Sequence, residues 1–220
     1  MTHGLRHVGI EPNACTIPQC ASFDATVDAL AAQHKRGLWC GYSMGGRLAL
    51  FAALNHPELV QHLMLVSATA GIESAAERTT RRAADAELAR SALANGTEAF
   101  LNGWLAQPMF ARVAADAPGI VERSALRPQR LAHDLQVLGT GSMPNAWGRL
   151  AELHMPVTIV TGTHDKKFTA IGERMHQRIA NSRLIHVDSG HAIPLEQPQR
   201  LATIIHETHN AAARNNDETN

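Results

Sequence analysis

Leu38-Trp39-Cys40-Gly41-Tyr42-Ser43-Met44-Gly45-Gly46-Arg47-Leu48-Ala49-Leu50-Phe51 decides the reading of this chain. An apolar run enters a G-x-S-x-G turn at Gly41, Ser43 and Gly45, and a helix-forming run leaves it. A serine forced onto so tight a strand-to-helix turn has strained dihedrals, and side chains at the neighbouring positions would collide. The spacing therefore predicts that Gly41 and Gly45 are glycine because the turn leaves no room there. Such a turn lifts the Ser43 hydroxyl clear of the sheet, at a helix N-terminus whose dipole favours developing negative charge. An ordinary glycine-rich βα turn would explain the glycines but would give Ser43 no role.

Outward from this elbow the chain alternates strand and helix. Apolar runs at 38–40, 63–67, 157–161 and 184–187 read as strands, and 23–34, 45–55, 171–180 and 198–206 read as helices. Continuous apolar runs such as LMLVS and VTIVT suit parallel strands buried on both faces, so the fold class is α/β. Residues 1–70 and 146–206 form the core in this reading. Residues 71–145 interrupt the alternation with ESAAERTTRRAADAELARSAL and ERSALRPQRLAHDLQVL, which carry helical patterns and no strand. They read as a helical lid over the sheet, with extra core helices as the alternative. The polar tail, 207–220, is expected to be disordered.

A serine needs a histidine to take its proton, and that histidine needs a carboxylate to orient it. After a strand-borne serine elbow the order is acid, then histidine. Asp165 follows the strand VTIVT in Gly162-Thr163-His164-Asp165, and His191 follows LIHVD in Ser189-Gly190-His191. Both fall at carboxyl ends of strands, where open α/β sheets bind ligands.

The composition excludes other classes. The 220 residues hold 20 basic and 20 acidic side chains, so no net field draws nucleic acid or an anionic membrane. No apolar run is long enough to span a bilayer, and the start of the chain lacks the apolar core of a secretory signal. Cys15, Cys20 and Cys40 form no CxxC pair and read as free thiols, which makes a cytoplasmic location the default. Thirteen histidines include no HExxH, and the His3/His7 pair lies near the chain start, so no metal is expected.

Across 37–206 the chain resembles the α/β-hydrolase superfamily. GYSMGGRLAL, Trp104-Leu105-Ala106-Gln107-Pro108-Met109-Phe110 and GTHDKKF are similar to the 2-succinyl-6-hydroxy-2,4-cyclohexadiene-1-carboxylate synthase family of menaquinone biosynthesis. The resemblance implies a lyase without metal or organic cofactor, in which the His-activated serine removes a proton and pyruvate is eliminated. It implies a small polycarboxylate substrate, with Arg47, Arg81 and Arg127 as carboxylate-binding side chains and Tyr42 and Trp104 lining the pocket. It also implies Met44 as one oxyanion N–H donor. Arg47 could instead be a solvated helix residue, although the two glycines before it favour a pocket; Arg81 and Arg127 could be ordinary surface arginines, and Trp104 core of the lid.

The resemblance thins before the elbow. Only 42 residues precede Ser43. RHVGIEPNACTIPQCASF is read as an altered form of the family's strand and turn, with the strand at 8–10 and the turn at 14–22. The other oxyanion donor would come from a His-Gly-Phe-like loop, of which His3-Gly4-Leu5 is a weak remnant. A misassigned start, a gene fragment, or a short chain that dimerises to cover its sheet edge would each account for this. Three functions stand at this stage: the lyase, a carboxylic-ester or carbon–carbon hydrolase on the same triad, and an inactive binding protein.

Overall fold

The computed structural model describes residues 13–114 and 125–217, with no side-chain detail for 212–217. The proposed strand at 8–10 and the His3-Gly4-Leu5 segment lie outside the described residues.

Helix α1 (Phe23–Gln33) starts at Ser22, whose hydroxyl accepts the Ala25 N–H, and buries Phe23, Thr26, Val27, Leu30 and Ala31 at helical spacing. Strand β1 (Gly37–Tyr42) leads into α2 (Met44–Asn55), and β2 (Val60–Val66) follows. Strands β3 (Val157–Gly162) and β4 (Ser182–Val187) come after the intervening insertion. The four strands are parallel and lie in the order β1-β2-β3-β4, so the elbow strand forms one edge of the described sheet.

Strand periodicity divides the core in two. Leu63, Leu65, Val157 and Ile159 pack into the larger cluster with α1 and α2, while Met64, Val66 and Val160 face the other way. There they meet Leu201, Ala202, Ile204 and Ile205 of the C-terminal helix. Burial on both faces is why these strands read as unbroken apolar runs.

Between β2 and β3 the described residues contain helices and no strand. Helix α3 (Ala75–Leu105) is capped by Ser74 and broken at Gly96, whose φ of 83° leaves helical space. Helix α4 (Pro128–Leu138) packs against it. Helix α4 starts at Pro128, where the missing N–H costs no hydrogen bond. Helix α5 (Lys166–His176) begins five residues before the predicted 171, because Asp165 caps it through Phe168 N–H.

The tail differs from expectation. After the short helix α6 (Ile193–Glu196), helix α7 (Pro198–Asp217) continues well past 206. Its apolar face seats on the sheet as far as the fully buried Thr208, and Ala211, Ala212, Ala213 and Arg214 are good helix formers that carry it onward.

On β2, His62 is buried and bonded to Thr158 Oγ1 at 2.9 Å, which also accepts Arg183 Nε–H. The Arg183 guanidinium thus shares a hydroxyl with the His62 ring and sets a positive charge close to it. Burial, and then the Arg183 charge, push the His62 pKa down from 6.5 to about 4. Between those values the unfolded chain binds a proton that the folded chain refuses, so stability falls as pH drops through that window. Urea titrations at pH 7 and pH 4 should show a loss of up to about 3 kcal/mol from this group, absent in His62→Gln.

Candidate active site

Ser43 is the only residue between β1 and α2, and it holds φ 49° and ψ −108°. Its backbone N–H is tied to Val66 O at 2.8 Å, so β2 fixes the turn from one side. A β-carbon on Gly41 would lie 2.3 Å from Gly45 O, and one on Gly46 would lie 2.6 Å from Ala68 Cβ and 2.8 Å from Gly41 O. Strand and helix thus touch through bare backbone at Gly41 and Gly46. Gly45 has open space where its side chain would be, contrary to the reading of G-x-S-x-G as two equally required glycines. The second crowded glycine is the one after the motif, because it faces the end of β2 across the turn.

The three loops at the carboxyl ends of β1, β3 and β4 bring the predicted residues together. His191 Nδ1 lies 2.7 Å from Asp165 Oδ2, and His191 Nε2 lies 3.2 Å from Ser43 Oγ. Asp165 as a carboxylate only accepts, so Nδ1 carries the hydrogen and Nε2 is left to accept from the serine. Asp165 Oδ1 meanwhile accepts Phe168 N–H, so capping α5 fixes the carboxylate that orients the imidazole. His164 N–H donates to Ser189 O at 3.0 Å and joins the acid loop to the histidine loop. Asp165 and His191 are 9% and 2% exposed, which keeps water from competing for their hydrogen bond.

Four aromatic rings gather at or near the imidazole. Phe168 lies 4.4 Å from it, Tyr42 5.5 Å and Phe110 6.0 Å, and Trp104 reaches the group through Phe110 at 6.2 Å. Phe110 and Phe168 were visible in the W-x-x-Q-P-x-F and G-x-x-D-x-K-F patterns, but nothing in the spacing assigned them to the histidine. Met44 is the first residue of α2, so its N–H is one of those with no acceptor inside the helix. Cys40, three residues before Ser43, is no rival nucleophile, since burial pushes its thiol up to about 12.

The arginines differ from one another. Arg47 is 8% exposed and donates to Leu138 O at 2.6 Å and to Met143 Sδ at 3.7 Å; no carboxylate among the described residues pairs with it. Burial and then the neighbouring Arg81 lower its pKa to about 10, with the Asp85 charge acting the other way from beyond ion-pair distance, and this still leaves it charged at neutral pH. Arg81 is engaged by Asp85, at 2.9 and 3.0 Å through Nε and 2.9 Å through Nη2. Asp85 is 1% exposed and was not anticipated from the sequence, where an i,i+4 Arg/Asp pair looks like any helix surface pair. Arg127 sits exposed at the start of α4 and is not among the side chains that meet the imidazole. Among the described residues no group of His, Cys, Asp and Glu could hold a metal ion.

The contrast between the elbow glycines is testable. Gly41→Ala should cost about 3 kcal/mol or more, or fail to fold, whereas Gly45→Ala should stay within about 1 kcal/mol of the parent in thermal or urea unfolding.

The Alpha/beta hydrolase family model matches residues 4–204. A Bacillus subtilis (strain 168) protein, provisionally named a 2-succinyl-6-hydroxy-2,4-cyclohexadiene-1-carboxylate synthase, is 39% identical over 173 residues, covering 76% of this chain and 63% of that protein. The chain thus spans under two thirds of that relative's length. The Serratia proteamaculans (strain 568) enzyme of that name is 29% identical over 196 residues, 83% of this chain and 73% of its own. Among solved structures, MenH from S. aureus superposes with a TM-score of 0.81 at 30% identity, over 93% of this chain and 80% of that one. An esterase from Thermogutta terrifontis, at 24% identity and a TM-score of 0.70 over 91% and 76% of the two chains, shares the fold. By its sequence across nearly its whole length, and by the parallel sheet that carries the elbow, this chain belongs to the alpha/beta hydrolase family.

Proposed function

We propose that the chain is a lyase that eliminates pyruvate from a carboxylated cyclohexene in menaquinone biosynthesis, with Ser43 as the His191-activated base. One observation carries the choice of chemistry: Arg47, one helical turn beyond Ser43, is a buried guanidinium without a carboxylate partner among the described residues. A buried charge left unpaired is costly, and a substrate carboxylate would offset that cost. A generic ester substrate gives this cation nothing to bind. The names borne by the synthase relatives and by the S. aureus structure support the same reading.

In this mechanism Ser43 Oγ passes its proton to His191 Nε2 as it takes one from a ring carbon. The electrons of that C–H bond form the new ring double bond, and the C–O bond to the enolpyruvyl group breaks. The imidazolium then protonates the leaving group, which becomes pyruvate, and the base is restored. Asp165 holds the imidazole in the tautomer that accepts from serine and stabilises the imidazolium. Enolate-like charge developing on the substrate would meet the Met44 N–H and the N-terminal end of α2. Arg47, with Arg81 and Arg127 as further candidates, would bind the substrate carboxylates bidentately, and Tyr42 and Trp104 would wall the pocket.

The helical insertion serves as a lid in this reading, since its Phe110 meets the imidazole and its Trp104 packs on Phe110. We place the protein in the cytoplasm, because Cys15, Cys20 and Cys40 are free thiols and no described helix is long and apolar enough to cross a membrane.

Pyruvate release from the pathway substrate, read through lactate dehydrogenase and NADH, tests the proposal. Ser43→Ala and Asp165→Asn should each lower kcat about a thousandfold or more. Arg47→Ala should act mainly on KM, raising it about tenfold or more through loss of a charged hydrogen bond. A folded parent that releases no pyruvate would sink the lyase reading.

A further inference from the structure

Glu196 has no place in the mechanism above, yet its side chain is only 4% exposed and it faces the catalytic histidine's own loop. Its Oε2 accepts Gly190 N–H at 2.6 Å and its Oε1 accepts Ala192 N–H at 3.2 Å. Those N–H groups belong to the Ser189–Gly190 and His191–Ala192 peptides, so one carboxylate bridges the loop across His191. With the loop held on both sides of the histidine, its backbone has less freedom to swing Nε2 away from Ser43.

The same carboxylate has a cation from another part of the fold. Arg112 Nε lies 3.6 Å from Glu196 Oε2, and the Arg112 side chain is 51% exposed. Arg112 follows the short 3-10 turn Pro108–Phe110, whose Phe110 ring meets the His191 ring nearly edge-on at 79°. Among the described residues it is the one cation paired with Glu196. If this segment moved away, Glu196 would be left as a buried anion held by two N–H groups alone, which is the costly half of a broken buried pair.

We infer that Glu196 is a positioning residue for His191, and that Arg112 couples the seating of the Pro108–Phe110 segment to that positioning. The inference rests on His191 acting with Ser43, but not on which substrate they act upon. A plain loop cap would also bond Gly190 and Ala192, but it would affect stability alone, would not act on reactivity and would not depend on Arg112.

A double-mutant cycle separates these roles. The probe is the rate at which a small alkyl fluorophosphonate modifies Ser43 in the full chain, which needs a working histidine but no carboxylate recognition. Glu196→Gln, whose amide oxygen can replace one acceptor but not both, should slow modification about ten- to a hundredfold, the scale of an ångström-level misplacement. Arg112→Ala should slow it about three- to tenfold, Arg112→Lys should recover most of that loss, and the double variant should be no slower than Glu196→Gln alone. On the pathway substrate both variants should lower kcat and leave KM within about threefold.

Parent-like modification rates in folded Glu196→Gln, or strictly additive losses in the double variant, would overturn the inference. So would an Arg112→Ala effect confined to KM, which would make Arg112 a substrate contact. Should Glu196→Gln not fold, the Arg112 pair decides, since that side chain is half-exposed: unchanged modification in Arg112→Ala overturns the coupling. If the parent is modified but releases no pyruvate, the lyase reading fails while this one is still decided by the modification rates. A parent that is not modified at all overturns both.

Discussion

The backbone contact between Gly41 and the Gly45–Gly46 peptide is the constraint on which the site depends. It lets α2 begin immediately after β1, with a single residue, Ser43, absorbing the whole change of direction at φ 49°. A non-glycine residue in that region is strained, and the strain persists only where the surroundings fix it. Here the Ser43 N–H bond to Val66 O and the close approach of Gly46 to Ala68 supply that fixing. Because β1, β2 and β3 are in parallel register, the same sheet edge carries the loops of Ser43 and Asp165, and β4 adds that of His191. The hydroxyl is aimed by geometry settled before any substrate arrives, which is what pre-organised catalysis needs.

Much of this was legible because local rules and chemistry agree. The elbow has a residue pattern, the buried strands have an apolar signature, and the acid and histidine follow strands in the order a serine triad uses. The parts that were not legible depend on pairs distant in sequence or on side chains with ambiguous signatures. Gly46 rather than Gly45 is crowded because Ala68, at the end of another strand, lies opposite it. Asp85 resembles any acidic residue on a solvated helix until α4 covers it; it lies 2.4 Å from where a Gly139 side chain would begin. Helix α7 runs past the expected end at 206 because a polar segment need not be disordered: alanine and arginine extend a helix already anchored by its apolar face. The proposed substrate rests on Arg47, and the sequence alone could not tell a buried guanidinium from a solvated one.

The charges around the site are arranged asymmetrically. Asp85 is matched by Arg81, and Glu196 by Arg112 together with two backbone N–H groups, but among the described residues Arg47 has only a carbonyl and a sulfur within hydrogen-bond reach and feels Asp85 from farther off. Each matched carboxylate holds a piece of structure: Asp85 fixes Arg81 on α3, and Glu196 fixes the histidine loop. The unmatched cation is the one beside the serine. Such a distribution is expected where the missing anion arrives with the substrate, because a built-in carboxylate at Arg47 would compete with it.

The helical insertion is held unevenly, and this bears on how the two halves of the site communicate. Helix α4 is tied down on several sides: Arg130 donates to Ile17 O at 2.7 Å, His133 meets Cys20 O at 2.9 Å, and Leu138 O accepts from Arg47. The first part of α3 is tied as well, through Arg78 to the carbonyls of Ile72 and Glu73 and through Arg82 to Gly141 O. Past the break at Gly96, Phe100, Trp104 and Phe110 form an aromatic run that ends on His191, and among the described residues the polar tie from this stretch to the histidine loop is Arg112 to Glu196. Arg81 therefore sits on the anchored part of the insertion, while Phe110, the insertion ring that meets the imidazole, lies beyond the break. In the proposed reaction the arginines would hold the substrate carboxylates while the aromatic segment, docking on His191, would complete the Ser43–His191 alignment, which would make binding and proton transfer separable steps.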